Sequence, residues 1–331
     1  MKKLFKWLGI IVLILLVVII GGIGFIKFAK PNVGEAPDLK VESTPERVER
    51  GEYLANSVTL CMDCHSKRDW NIFTAPPTPG TAGSGGERFD PSMGFPGTFY
   101  SRNLTPYRLK DWTDGEIFRA ITTGVDKKGE PLFPVMPYHL YGQLDNEDIY
   151  SIIAYLRSLP EIKNEIPESK ADFPFSLIMR LIPVKGSPQK KPAESDSIAY
   201  GKYMTTASGC IECHTKFEKG QFIEGTEYGG GRVFEMPGGT LQTANISPDM
   251  ETGIGSWTED VFVRRFKMYT DSTYAPQKVD PQKDFITMMP WTMYSKMKES
   301  DLRAIYKYLR TVKPQKNIVN KWQARNTVAA K

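Results

Sequence analysis

The sequence predicts an all-α protein, with two tandem copies of a small helical domain behind one N-terminal transmembrane helix. Three observations predict it. Residues 7–26, WLGIIVLILLVVIIGGIGFI, run without a charge. The rest of the chain reads twice, with the same short motifs in the same order. Within each copy, apolar residues recur at helical spacing between loops rich in glycine and proline. The 331 residues suffice for two ordinary domains plus connectors. A net charge of +5 is mild for this length. No dense Lys/Arg cluster is interleaved with aromatics, so no nucleic-acid partner is expected.

Residues 1–30 are read as the anchor. About 20 residues at helical rise match the hydrocarbon core of a bilayer. Lys2, Lys3 and Lys6 precede the run and Lys27 and Lys30 follow it, a modest bias toward an inside N-terminus. A cleaved signal peptide is the alternative, and Gly22-Ile23-Gly24 offers a small-x-small site. Its apolar region would be only about 7–15 residues, so an uncleaved single-pass anchor is expected. Both readings export the rest of the chain. The expected location is the cytoplasmic membrane of a bacterium, with the domains on the periplasmic face.

A linker, 31–44, leads to the first domain, 45–160. A helix over 45–60 delivers CMDCH (61–65). GSGGERFD (83–90), Gly97-Thr98 and NLTP (103–106) mark a long loop. Thr113 followed by Glu116 has the capping-box form ahead of IFRAI. VMPYHLY (135–141) precedes a helix opened by Asp145, whose Ile149, Ile152, Ile153 and Leu156 share one face. An inter-domain linker follows over 161–194. Its apolar stretch FPFSLIMRLIPV (173–184) is expected to pack at the seam between domains. The second domain, 195–315, repeats the series. A helix over 195–209 leads to CIECH (210–214), then GGGRVFE (229–235), NISP (245–248), Trp257-Thr258-Glu259 and MMPWTMY (288–294). Leu302, Ile305, Tyr306 and Leu309 line its last helix. The basic tail, 316–331, is expected to be solvated or frayed.

The four cysteines are Cys61, Cys64, Cys210 and Cys213, and both pairs read CxxCH. That is the c-type haem attachment motif. Two thiols three positions apart form thioethers with the vinyl groups of one haem, and the next histidine reaches the iron. A redox dithiol would need a βαβ setting that the pattern lacks. A zinc ribbon or finger could not tolerate so wide a gap between pairs, and a disulfide framework belongs to small cysteine-dense chains. Two covalently bound haems c are expected, with His65 and His214 as proximal ligands. Helices flanking a haem, with a long loop carrying the sixth ligand, make a monohaem cytochrome c domain.

Met136 and His139 both stand in VMPYHLY, and either residue type binds haem iron. The repeat chooses between them. Met136 aligns with Met289, each followed by proline and an aromatic, whereas His139 aligns with Thr292. Met136 and Met289 are therefore the expected sixth ligands, with His139 a hydrogen-bonded or exposed neighbour. Other repeated pairs are Arg88 and Arg232, Asn103 and Asn245, and Trp112 and Trp257. They are candidates for bonding haem propionates or bracing the methionine loops; duplicated loop structure explains them equally well.

The stretch PGGTLQTANISPDMETGIGSWTEDVF (237–262) resembles the cytochrome c subunit of membrane-bound alcohol and gluconate dehydrogenases. GTFYSRNLTP (97–106), LFPVMPYHLYGQLDNEDIYSIIAYLRSLP (132–160) and FPFSLIMRLIPV fit the same pattern. The resemblance covers roughly residues 45–315. It implies a string of cytochrome c domains that takes electrons from a partner dehydrogenase and passes them toward an oxidase or another cytochrome. It supports Cys61, Cys64, His65 and Met136 for one haem, and Cys210, Cys213, His214 and Met289 for the other. The family's subunit usually carries three haems; this sequence has two motifs. An electron carrier, not an enzyme, is therefore expected. The alternative is a dihaem peroxidase-like enzyme with an open or His139-ligated first haem. A thiosulfate-oxidising enzyme with a cysteine ligand would need a spare cysteine, and a sensor would need an output domain.

Overall fold

The structure is a computed structural model that describes residues 2–325. Helix α1, Lys2–Phe28, leaves nearly all of its described side chains in the open and meets the rest of the protein only near its end. Among the described residues it is the one helix long and apolar enough to cross a membrane.

In the first half, α2 (Pro45–Tyr53) starts on Pro45 behind the cap Thr44 and runs into a π-helical turn, Leu54–Val58. Then come α3 (Cys61–Cys64), β1 (Arg88–Phe89), β2 (Gly97–Tyr100), α4 (Pro106–Leu109), α5 (Asp114–Thr123), α6 (Tyr138–Tyr141) and α7 (Asn146–Ser158). The linker holds β3 (Lys170–Ala171) and α8 (Phe175–Ile178). In the second half, α9 (Ser197–Ala207), α10 (Cys210–Cys213), β4 (Phe217–Glu218), β5 (Gln221–Phe222), β6 (Val233–Met236) and β7 (Gly239–Gln242) precede α11 (Glu259–Lys267), α12 (Trp291–Tyr294), α13 (Glu299–Leu309) and β8 (Trp322–Ala324).

In each half the first and last helices cross: α2 on α7, and α9 on α13. Glycine sets the closeness of both crossings. A Cβ on Gly51 would lie 1.9 Å from the Ser151 carbonyl oxygen, and one on Gly201 would lie 2.0 Å from that of Ala304. Ser151 and Ala304 hold equivalent places in the two repeats. The apolar stripes face inward as their spacing predicts: Ile149, Ile152, Ile153 and Leu156 are buried, as are Leu302, Ile305 and Leu309. The capping box forms, with Thr113 Oγ1 accepting from the Glu116 amide and the Glu116 carboxylate accepting from the Thr113 amide.

Four expectations need amending. The protein is helix-rich but not all-α. Antiparallel β1–β2–β3, β4–β5 and β6–β7–β8 form small sheets from strands of two to four residues. Such strands are too short to show an alternating pattern. The tail is not wholly solvated: Trp322 pairs with Leu241 at the edge of the last sheet and packs on Phe285. Residues 326–331 of that tail lie outside the described residues. Lastly, the apolar linker stretch is not at the seam. Phe175 packs edge-on to Phe133 of the first half, and α8 lies against the end of α1. The fourth amendment is at residue level. The first half has one more residue than the second between the α2/α9 glycine and the first cysteine, and the π turn absorbs it.

The seam itself is reciprocal. Tyr53 donates to Asp301 at 2.5 Å, and its repeat counterpart Tyr203 donates to Asp148 at 2.7 Å. The Lys298 amide donates to the Tyr53 oxygen, and the Asp145 amide to that of Tyr203. The halves therefore meet about a pseudo-twofold axis, each using the same surface.

Candidate haem-binding sites

Both cysteine turns begin the same way. Leu60 and Gly209 sit in the left-handed region, at φ 57° and 61°, and end the preceding helix. A single α-turn then carries both cysteines, α3 in one half and α10 in the other. For a leucine that conformation is strained, and the packed surroundings must enforce it.

The histidines that follow are poised as metal ligands. His65 Nδ1 lies 2.6 Å from the Arg102 carbonyl oxygen, and His214 Nδ1 lies 2.7 Å from that of Ala244. A carbonyl only accepts, so Nδ1 carries the proton and Nε2 keeps its lone pair. Burial holds both imidazoles below their ordinary range and so neutral, helped at His65 by the Arg108 charge. This backbone clamp on the far nitrogen is the usual way a metal-binding histidine is oriented.

The thiols are not tuned for redox exchange. Burial, reinforced at Cys64 by Asp63 and at Cys210 by Cys213, pushes both up to about 12. A reactive dithiol needs the opposite shift. The donor set fits a covalently attached haem: two thiols on one turn, a neutral imidazole beside them, and an apolar wall.

The methionine loops are tied to the cysteine turns. Met136 and Met289 are half-buried against the core that Cys61 and Cys210 also border. Each methionine carbonyl accepts from the amide two residues on, at 2.8 Å in both loops, and Pro137 and Pro290 adopt matching backbone angles. Tyr141 donates to the Thr59 carbonyl and Tyr294 to that of Ser208, tying each methionine loop to the start of its cysteine turn. His139 points elsewhere. Its Nε2 lies 2.8 Å from Glu212, between the cysteines of the other half.

The remaining repeated pairs divide. Asn103 donates to the Ile162 carbonyl and accepts from the Thr105 amide and hydroxyl. Asn245 donates to Gln315 and accepts from the Ser247 amide. Both clamp a loop to the segment leaving the last helix, so their amides are committed to chain geometry. Trp112 and Trp257 border the core. The arginines are not equivalent. Arg88 is exposed and pairs with Asp90, while Arg232 bonds the Glu212 carbonyl and packs on Phe217, Phe222 and Phe234. Arg68 is the residue that motif alignment missed. It lies 3.6 Å from Asp63, over Trp70, with Nη2 buried and unpartnered. Thus Arg68 stands to Asp63 as Arg232 stands to Glu212.

Comparison with known proteins bears on what such paired sites do. The chain is 27% identical over 290 residues to the cytochrome c subunit of the quinone alcohol dehydrogenase of Gluconobacter oxydans, covering 80% of this chain and 54% of that one. It is 30% identical over 245 residues to the gluconate 2-dehydrogenase cytochrome c subunit of Pantoea cypripedii, covering 67% and 51%. The chain is a relative of dehydrogenase cytochrome c subunits. The fructose dehydrogenase cytochrome subunit of Gluconobacter japonicus extends the kinship, at 26% identity over 304 residues, 86% of this chain and 57% of that one. This cytochrome c relative spans about half the length of each. No family model matches it.

Proposed function

We propose that this protein is a membrane-anchored dihaem cytochrome c that relays electrons from a periplasmic dehydrogenase or respiratory donor to a downstream respiratory acceptor. The observation that carries the reading is the duplication of one complete donor set. Cys61, Cys64, His65 and Met136 would hold one haem, and Cys210, Cys213, His214 and Met289 the other. When bound, each haem supplies a one-electron iron couple. The protein's own residues do the rest. The Arg102 and Ala244 carbonyls orient the imidazoles, and the thioethers of Met136 and Met289 favour reduced iron. The seam bonds of Tyr53 and Tyr203 hold the two sites in one orientation. The two halves are read as cytochrome c domains spanning 45–160 and 195–315, with α1 as a single-pass anchor.

The engagement of His139 by Glu212 supports methionine as the sixth ligand of the first haem, and so a carrier in preference to a peroxidase. A haem assay on the full-length protein tests the count, with two per chain expected. The far-red methionine–iron charge-transfer band tests the ligands. Met136→Ala and Met289→Ala should each remove about half its intensity, in keeping with one thioether per haem. A wild-type protein with half the band, or a band indifferent to Met136→Ala, would overturn the assignment.

A further inference from the structure

Residues 173–184 carry an apolar rim that nothing in the protein covers. Phe175 points inward, its ring 6.0 Å from that of Phe133. On the outside, Phe173 is 75%, Ile178 49%, Leu181 66% and Val184 52% exposed. Scattered exposed apolar residues need no explanation, but four within twelve positions form a patch.

The position of this rim decides what it meets. Helix α8 packs against the end of α1. Arg180 donates to the Ala29 carbonyl at 3.2 Å, one residue past α1, and pairs with Glu130 at 2.5 Å. The Lys30 side chain lies along Gly129. The chain leaving α1 is thus fixed to the first half, and the rim sits beside the end of the span. Phe25 and Phe28 are exposed at that same end. Lys27, Lys30 and Lys185 flank these apolar residues, a pattern suited to the headgroup zone.

We infer that residues 173–184 form a second, non-spanning membrane contact, lying in the interface of the bilayer that α1 crosses. The occupant is lipid. The inference rests on the reading of α1 as a span. One consequence follows for the first site. Phe133 is stacked on Phe99 at 3.7 Å, touches Phe175, and stands three residues before Met136. Phe175 therefore links the rim to the segment that carries Met136.

Spin labels test this in the full-length, haem-loaded protein, whose own cysteines are taken up by thioethers. The protein is placed in vesicles of phosphatidylethanolamine and phosphatidylglycerol. Labels go on Leu181→Cys, on Val17→Cys within α1, and on Met250→Cys, an exposed apolar position of the second half. Collision with dissolved oxygen reports lipid, and collision with a water-soluble nickel chelate reports solvent. The oxygen-to-nickel ratio should be several-fold higher at Leu181→Cys than at Met250→Cys. A ratio matching Met250→Cys, with Val17→Cys deep in lipid, overturns the contact and leaves the span standing. Shielding of Leu181→Cys from both reagents also overturns it, since a protein partner would then cover the rim. A water-accessible Val17→Cys removes the span, and this contact with it.

Discussion

The imidazole of His139 is 38% exposed, and its partner Glu212 belongs to the opposite half. A partly exposed pair of this kind contributes about 1 kcal/mol or less. His139→Ala should therefore shift the denaturant midpoint only slightly and leave the methionine–iron band at full intensity. Were this histidine the ligand instead, the wild type would already show half the band, and His139→Ala would not lower it. The proposed ligand set comes from the sequence, because thioether attachment demands a fixed spacing and the repeat then favours Met136 over His139. Arg68 is not readable that way. It approaches Asp63 from the loop after His65, whose counterpart in the second half has Phe217 at the same offset, and a long guanidinium side chain reaches its carboxylate from many sequence positions. Alignment nominates Arg88 instead, which the fold leaves in solvent beside Asp90.

The crossing of first and last helices depends on the missing side chains of Gly51 and Gly201. At each, an added Cβ would meet a backbone carbonyl of the facing helix, which cannot swing aside as a flexible side chain would. Alanine gains about 1 kcal/mol in helix propensity over glycine. Overpacking works against it and costs about 1–3 kcal/mol, more where backbone must move. Gly51→Ala and Gly201→Ala should each lower the unfolding midpoint of the haem-loaded protein, by a net of about 1–2 kcal/mol. An unchanged or raised midpoint would show that the helices separate freely. The last helices were visible from their apolar spacing, and the first ones from their place ahead of each CxxCH. The strands were not, because two to four residues cannot carry a period. The π turn shows in sequence only as one extra residue before Cys61, and length alone does not say where the chain bulges.

Two halves proposed to hold one haem each are useful to one another only when held in a constant relation. The pseudo-twofold seam supplies that relation through two matching bonds, yet their surroundings differ. Asp148 receives both Tyr203 and a two-pronged bond from Arg50, each nitrogen at 2.9 Å. The repeat places Tyr200 where the first half has Arg50, so Asp301 is held by Tyr53 and by Tyr200 at 3.1 Å, with no arginine. A hydroxyl bonded to a charged group contributes about 1.5–3 kcal/mol. Removing it matters most where no cation remains. The tyrosines repeat visibly in the sequence, but a tyrosine at helical spacing reads as core, and only the folded pair shows its carboxylate to lie across the seam. Tyr53→Phe should thus loosen the seam more than Tyr203→Phe, with the greater loss of stability and the greater slowing of electron equilibration between the haems after photoreduction. The methionine–iron band should survive in both, because neither hydroxyl contacts a ligand. Equal effects, or a larger one from Tyr203→Phe, would mean that the Arg50 pair, and not the tyrosine, governs how the halves are held.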